Sequence, residues 1–242
     1  MRGVVLAGGT GSRLSPLTET INKHMLPVGR EPMIWHSVRQ LASAGIEDIT
    51  IVTSPHHLGA IGESLGSGQR FGVRLGYALQ EQAGGIADAL RLAQNFGPSD
   101  RVTVLLGDNI FEHSIASHVE AYRRQRDGAR ILLKTVDDPE RYGVALVKGE
   151  RVIDIEEKPP HPKSRDAVVG CYMYDEAVWE ILSHCTPSDR GELEITAVNN
   201  AYLARGTLAF GRVEGGWTDA GTFSSLHDAN ALLLSNDNEL LP

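Results

Sequence analysis

Met1-Arg-Gly-Val-Val-Leu-Ala-Gly-Gly-Thr-Gly11, continued by Ser12-Arg13-Leu14, decides how this chain is read, because an apolar β run empties directly into a glycine-rich loop that ends on a cation. Gly8, Gly9 and Gly11 remove the Cβ atoms that would keep backbone N–H groups away from an anion, and Arg13 brings a fixed positive charge to the same place. The arrangement is one for holding phosphate. It is not a P-loop, since the closing Lys-Ser/Thr pair is missing. Nor is it a dinucleotide fingerprint: Gly9-x-Gly11 would require glycine where Leu14 stands, and the second predicted strand ends in Val52-Thr-Ser54 without the acidic residue that grips a ribose. Taken alone, the loop could still be only a tight βα turn.

Outward from the loop, short β-branched runs alternate with amphipathic stretches as far as Val136, the pattern of βαβ units. Strands are predicted at Gly3–Ala7, Asp48–Thr53, Val73–Ala78, Val102–Leu106 and Arg130–Val136. Ile34, Val38, Leu41 and Ala42 repeat with helical period, as do Ile86, Leu90 and Ala93, and then Ile115, Val119 and Tyr122. Several such crossovers predict an α/β fold with a Rossmann-like, doubly wound, mainly parallel sheet, with ligands beyond the carboxyl ends of its strands. Both the glycine loop and Gly107-Asp108-Asn109 fall at such ends. After Val136 the pattern changes to a hairpin, Gly143–Val147 and Arg151–Ile155 around Lys148-Gly-Glu150. A strand at Val168–Tyr174, helices around Glu176–Ser183 and Glu192–Ala204, a strand at Thr207–Val213 and a helix at Thr222–Leu234 follow. The expected organisation is one domain over 1–242, with a nucleotide-binding lobe at 1–136 and a smaller sugar-binding and closing β-hairpin lobe at 137–235.

The 242 residues are 41% hydrophobic, enough for a substantial core. The 31 acidic residues outnumber the 23 basic ones, for a formal charge of -8 without a Lys/Arg block, which argues against a nucleic-acid polymer or an anionic membrane as partner. Cys171 and Cys185 form no metal-type spacing and read as reduced thiols in or near the core. The apolar run at the N-terminus is too short for a signal-peptide core, and no stretch approaches membrane-spanning length, so a cytoplasmic location is expected.

Further along the chain, Lys23 follows Arg13 closely, and two cations flanking a glycine loop can neutralise a triphosphate, although alone Lys23 reads as a solvated loop charge. Asp108 follows an apolar strand and a glycine. Asp219 lies in the glycine-flanked turn Gly215-Gly-Trp-Thr-Asp-Ala-Gly221. Two such carboxylates can hold Mg²⁺, which prefers oxygen ligands and keeps waters and substrate phosphates in its other positions, but each can also be an ordinary turn-capping Asp. Glu156-Glu-Lys-Pro159 presents Lys158 at a rigid stop, or is simply a solvated charge run. Glu192 and Glu194 read as first-turn acids of a helix.

Taken in order, Leu6-Ala-Gly-Gly-Thr-Gly-Ser-Arg-Leu14, Asn22-Lys-His-Met-Leu-Pro-Val28, Leu106-Gly-Asp-Asn109, Tyr142-Gly-Val144, Glu156-Glu-Lys-Pro159 and Arg190-Gly-Glu-Leu-Glu-Ile-Thr196 closely resemble the sugar-1-phosphate nucleotidyltransferases, over about Met1 to Ala231. The resemblance implies a nucleotide-binding α/β fold and an enzyme that transfers a nucleotidyl group from dTTP or UTP to glucose-1-phosphate, giving a nucleotide-sugar and pyrophosphate, with Mg²⁺ as cofactor. It implies that Leu6, Ala7, Gly8, Gly9, Thr10 and Gly11 wrap the nucleotide, with Arg13 and Lys23 on its phosphates. Asp108 and Asp219 would hold Mg²⁺. Lys158 would neutralise the sugar phosphate with help from Arg190, and Tyr142, Gly143, Glu157, Val168 and Trp217 would line the hexose. The segment Gln80-Glu-Gln-Ala-Gly-Gly-Ile-Ala-Asp88 resembles the family's base-reading loop, which places Gln80 and Gly85 on a pyrimidine. Thymine and uracil differ by one methyl, worth only ~1–3 kcal/mol in a pocket, so both remain open.

Three departures from the family pattern stand out. His24 occupies a position where members using dTTP usually carry Gln, and Ala220 follows Asp219 where Thr is usual. The chain stops soon after Leu234, so the tetramer and the feedback control of longer members are not expected to carry over, and any homo-oligomer is left open. Two other readings stay in view: a noncatalytic nucleotide-sugar-binding regulatory protein on the same fold, and a glycosyltransferase, which usually shows Asp-x-Asp where this chain has Gly107-Asp-Asn109.

Overall fold

A computed structural model describes residues 1–96, 100–188 and 190–237. In chain order its strands and helices are β1 (Arg2–Ala7), β2 (Pro27–Val28), β3 (Glu31–Pro32), α1 (Met33–Ser43), β4 (Asp48–Thr53), α2 (Pro55–Leu65), β5 (Arg74–Leu79), α3 (Ile86–Leu92), β6 (Arg101–Leu106), β7 (Asn109–Phe111), α4 (Ala116–Arg124), β8 (Ala129–Thr135), β9 (Gly143–Lys148), β10 (Arg151–Glu157), β11 (Asp166–Asp175), α5 (Ala177–His184), α6 (Ile195–Ala204), β12 (Leu208–Arg212), β13 (Trp217–Asp219) and α7 (Phe223–Asp237).

The first half builds the expected parallel core, in the order β6-β1-β4-β5. β1 shows why its sequence is apolar throughout: Val4 and Leu6 pack into the core on one face, Val5 and Ala7 into the core on the other. A strand covered by helices on both faces has no polar side to show. The face of Val5 is covered by residues of α1, α2 and α4, including Ile34, Ile61 and Val119. That of Val4 is covered by α3, α5 and α6, through Leu90, Val178 and Val198. This is the doubly wound arrangement, and it leaves the carboxyl ends of β1 and β6 open for ligand.

From β11 onward the sheet is mixed. β11 runs antiparallel to β6 on one edge and to β8 on the other, and β12 extends the sheet parallel to β8. The β9–β10 hairpin also joins this sheet, through the pair Ala167↔Val144. β9 and β6 therefore lie end to end along the same edge of β11. Between Ala167, the last partner of β9, and Cys171, the first partner of β6, residues Val168–Gly170 have no strand beside them on that edge. The ladder to β8 is irregular at the same place: Val168 pairs with Leu133 and Tyr172 with Ile131, so β11 carries two extra residues in a bulge. Bulges re-aim side chains beside functional sites. Here the bulge borders the split in the sheet.

A small third core, Leu14, Leu26, Val28, Met33, Ile110, Ala220 and Ala229, fixes the loop after β1 to β7, β13 and α7. No helix among the described residues is long and apolar enough to cross a membrane. Cys171 is buried and Cys185 half-buried, and both are free thiols.

Candidate active site

The split in the sheet and the carboxyl ends of β1 and β6 form one cleft of about 720 Å³, within the size range of small-molecule sites. Leu6, Gly8, Gly9, Thr10, Arg13 and Lys23 line it from the loop side. Gln80, Gly85, Asp108, Tyr142, Gly143, Glu157, Lys158, Val168, Arg190, Trp217 and Asp219 complete the residues singled out in the sequence. Ala7 is fully buried in the core, and Gly11 turns the chain beneath Lys23; neither lines the cleft.

The glycine loop is shaped by what packs on it. Gly11 has φ 71°, in the left-handed region that favours glycine, and a Cβ there would meet Thr18 Cγ2 at 2.9 Å and Lys23 Cβ at 3.0 Å. A Cβ on Gly9 would come within 3.3 Å of Lys23 Nζ, so the ammonium lies across the loop backbone. The same Nζ is 2.5 Å from Asp108 Oδ2. Burial works against the Asp108 charge, yet Lys23, with the Asn109 amide donating to Oδ1 at 3.0 Å, holds its carboxyl well below the usual range.

Asp219 arrives by a different route. β13 pairs antiparallel with β7, placing Asp219 opposite Asn109 and Trp217 opposite Phe111, and the Ala220 N–H donates to the Asp108 carbonyl at 2.7 Å. Asp219 therefore lies on a short strand, half-buried, and not in the polar turn that the glycines around it suggested. Its Oδ1 accepts from Arg141 Nη2 at 2.8 Å and from the Tyr142 hydroxyl at 3.0 Å. Among the described residues no hydrogen bond reaches Oδ2. Burial, then the neighbouring Asp108 charge, push the Asp219 carboxyl above its usual range, against the pull of Arg141, Tyr142 and Arg13.

His24 lines the cleft and is 1% exposed. Asn22 Oδ1 accepts the His24 backbone N–H at 2.8 Å and lies 2.9 Å from ring Nδ1. An amide oxygen can only accept, so Nδ1 is the protonated nitrogen of the neutral ring and Nε2 is left as an acceptor. Burial, then the Lys23 charge, hold the imidazole down at about 3.

In the segment Gln80–Asp88, Gln80 is buried, and its amide Nε2 is used up on the Gly85 carbonyl at 3.3 Å and Asp88 Oδ2 at 3.0 Å. Oε1 is left beside Gly8, where a Cβ would approach it to 2.5 Å. The wall thus offers an acceptor. Gly85 has φ 98° and lies so close to the Leu193 carbonyl that a Cβ would sit 2.6 Å from it.

On the other side of the split, Lys158 is the only non-glycine among the described residues with positive φ, 42°, and its N–H donates to the Tyr142 carbonyl at 3.0 Å. A residue held in that region costs backbone energy and marks a place where the surroundings dictate the conformation. Its ammonium is 3.6 Å from Glu157 Oε1. Glu157 Oε2 in turn accepts from Thr196 Oγ1 at 2.5 Å, and Arg190 Nη1 lies 3.7 Å from Glu157 Oε1 and 3.4 Å from Glu194 Oε1. α6 begins only at Ile195, so Glu192 and Glu194 precede the helix and surround Arg190, a correction to their reading as first-turn acids.

Arg141, Asn109 and Thr196 were not singled out in the sequence. Thr196 and Asn109 sit inside the quoted motifs; Arg141 precedes Tyr142 and reads as a loop charge until β13 delivers Asp219 to it.

The nucleotidyl transferase family model matches residues 2–236. The glucose-1-phosphate thymidylyltransferase of Neisseria meningitidis is 39% identical over 242 residues, covering 98% of this chain and 84% of that protein. The protein of the same name from Mycobacterium tuberculosis is 42% identical over 233 residues, covering 95% and 81%. A Bacillus anthracis structure assigned as a glucose-1-phosphate thymidylyltransferase, in complex with sucrose, superposes with a TM-score of 0.92 at 53% identity, over 96% of this chain and 94% of that one. A UDP-glucose pyrophosphorylase complexed with UDP-glucose shares the fold, with a TM-score of 0.86 at 23% identity, over 97% and 98% of the two chains. With the glycine loop, the paired carboxylates and the strained lysine on one cleft, and with relatives matched over nearly its whole length, the chain belongs to the nucleotidyl transferase family.

Proposed function

We propose that the protein is a glucose-1-phosphate thymidylyltransferase, which joins dTTP and glucose-1-phosphate into dTDP-glucose and releases pyrophosphate. The observation that carries this reading is the meeting of Lys23, Asp108 and Asp219 at the glycine loop, in a cleft whose other wall holds Lys158 and Arg190. One set of charges suits a triphosphate and the other a sugar phosphate. The division of labour follows the chain, with 1–136 serving the nucleotide and 137–235 the sugar and the closing of the site.

In the reaction a phosphate oxygen of glucose-1-phosphate attacks the α-phosphorus in line, a new P–O bond forms, and the bond to the β-phosphate breaks. A phosphate monoester has its second pKa near about 6, so the nucleophile is already deprotonated at neutral pH and no general base is required. The work of the chain is to bring two polyanions together and to hold them in line. Backbone N–H groups of Gly8–Gly11 and the Arg13 guanidinium receive the β- and γ-phosphates and stabilise charge on the departing pyrophosphate. Lys23 lies between the loop and the Asp108 carboxylate. Lys158 and Arg190 offset the charge of the attacking phosphate, and Glu157, fixed by Thr196, accepts from hexose hydroxyls alongside Tyr142, Gly143, Val168 and Trp217.

The carboxylates fit Mg²⁺: both are hard oxygen donors, Asp219 Oδ2 carries no hydrogen bond among the described residues, and their mutual repulsion raises Asp219. Bound there, Mg²⁺ supplies positive charge that offsets the charge on the phosphates as bonds exchange. Asp108 and Asp219 are the two side chains that would hold it, with waters and substrate phosphates in the other positions.

The Gln80 oxygen selects the base class. A wall that accepts suits the N3–H of thymine or uracil and opposes cytosine, whose N3 is itself an acceptor. The names of the relatives favour thymine. An enzyme drawing on dTTP belongs in the cytoplasm, in keeping with its two free thiols. The test is a matrix of dTTP, UTP, CTP and ATP against sugar-1-phosphates with Mg²⁺, followed by pyrophosphate release. Fastest turnover with dTTP and glucose-1-phosphate is expected. Preference for UTP would transfer the reading to a UDP-sugar enzyme, and tight nucleotide-sugar binding without turnover would replace it with a regulatory protein.

A further inference from the structure

Both carboxylates of the cleft are already paired within the chain. Lys23 Nζ is 2.5 Å from Asp108 Oδ2, and Arg141 Nη2 is 2.8 Å from Asp219 Oδ1. With Asp138, which Arg141 also bonds, and Arg13, whose charge acts on Asp219, three negative and three positive formal charges cancel, and a divalent cation approaching a neutral cluster gains little from Coulomb attraction. Lys23 and Arg141 are held differently. Arg141 is tied back by Nη1, 2.6 Å from Asp138 Oδ2, and lies over the Tyr142 ring at 5.1 Å from its centroid. Lys23 instead reaches Asp108 across Gly9, with its ammonium at the very backbone that would receive phosphate. Phosphate oxygens settling on Gly8–Gly11 compete with Asp108 for that ammonium.

We propose that Lys23 and Arg141 are resident counter-ions of the Asp108–Asp219 pair, so that the cleft takes up its divalent cation together with a triphosphate and not ahead of it, the triphosphate drawing Lys23 off Asp108. The proposal rests on the reading of Asp108 and Asp219 as the cation-binding carboxylates. Lys23 is then the element that links nucleotide to metal. Arg141 sets how weakly the site holds metal beforehand, and by sharing Asp219 Oδ1 with Tyr142 it leaves Oδ2 as the oxygen on offer.

The test is Mn²⁺ binding to the full chain, followed by the EPR signal of free Mn²⁺ and by equilibrium dialysis, with Mn²⁺ alone and with dTTP in the absence of any sugar phosphate, the protein-bound Mn²⁺ being read against the same Mn²⁺ and dTTP without protein because the triphosphate itself chelates the ion. Wild type alone is expected to bind Mn²⁺ at least about tenfold more weakly than wild type with dTTP. Arg141→Met alone is expected to bind at least about tenfold more tightly than wild type alone, whereas Arg141→Lys, which keeps the charge, stays within about twofold of wild type. Arg141→Gln, which keeps a donor for Asp219, serves if the Met variant melts early, with the same tightening expected. Equal affinities for wild type and the uncharged variants overturn the proposal, as does wild-type binding that is equally tight with and without dTTP. Pyrophosphate release from dTTP and glucose-1-phosphate is scored separately: turnover with uncoupled Mn²⁺ binding overturns the counter-ion proposal alone, whereas no turnover with any nucleotide overturns the proposed function.

Discussion

Asn109 and Asp219 stand opposite each other in the short antiparallel ladder between β7 and β13, so the neighbour of Asp108 in sequence is the neighbour of Asp219 across strands. The Asn109 amide is fixed in orientation, because its Oδ1 accepts from both the Gly170 N–H at 2.8 Å and Trp217 Nε1 at 2.9 Å. Its Nδ2 is thereby aimed at Asp108. One amide joins the two carboxylate strands to the bulge of β11, and the geometry of the site is built into the sheet before any ligand arrives.

Asp219→Asn separates chemistry from folding. Burial and the Asp108 charge make the ionised Asp219 costly, and the amide removes that cost while keeping an acceptor for Arg141 and Tyr142. Turnover is expected to fall by about a thousandfold or more, in line with the loss of several kcal/mol of charge stabilisation. The melting temperature is expected to hold or rise. A melting temperature that drops together with activity would make Asp219 a structural residue.

Lys158→Asn removes the ammonium but suits the backbone, since Asn tolerates the left-handed region better than Lys. Stability is expected to stay level or rise by up to about 1 kcal/mol, the lower end of the backbone strain of a residue held in that region. Steady-state kinetics should show kcat/KM for glucose-1-phosphate lowered by about a hundredfold or more. An unchanged constant would mean that the strain at Lys158 serves the hairpin and not the sugar phosphate.

Gly170→Ala places a methyl 2.6 Å from Asn109 Oδ1 and 2.7 Å from Leu106 Cδ1, inside the split where neither the strand nor the amide can retreat. Urea denaturation is expected to show a loss of about 1–3 kcal/mol. Activity should fall further than stability, because the displaced amide is the one that aims at Asp108. Wild-type activity in this variant would show that Asn109 does not position the carboxylates.

His24 makes stability depend on pH. Its folded value of about 3 lies below its ordinary 6.5, so as pH falls through 6.5 the unfolded chain takes up a proton that the folded chain refuses until near 3. The full stability is present above 6.5 and is lost progressively between those two values, at up to about 1.4 kcal/mol per pH unit. Urea denaturation of wild type and His24→Gln at pH 7.5, 6.5 and 5.5 would measure it, with the Gln variant expected to show a flatter dependence below 6.5. Parallel curves would show that another group sets the slope.

The parts of the fold legible in the sequence are those with a period and a punctuation mark. β1, β4, β6 and β11 are runs of β-branched and apolar residues, and the glycine loop follows β1 directly. The α2 stretch shows no clear helical period, because Gly59, Gly62, His56 and His57 dilute its apolar face. β7 and β13 have three residues each, too few for any alternation to show. Their pairing decides where Asp219 goes. For that reason the sequence could nominate Asp108 and Asp219 separately as turn residues, but could not see Arg141 beside one of them or Asn109 between them. Glu192 and Glu194 fit the pattern of first-turn acids, and the tertiary demand of Arg190 overrode it.

An unpaired strand edge normally invites another chain to add itself, and proteins blunt such edges with charge, twist or cover. The edge left free at Val168–Gly170 is handled differently: β9 and β6 stop it at both ends, and it faces the inside of the cleft. At roughly 3.3 Å per residue the opening is only about 10 Å long. That is too short to template a second polypeptide, and part of it is already satisfied within the chain, since the Gly170 N–H donates to Asn109 Oδ1. A hazard of β architecture thus becomes harmless by being brief and turned inward.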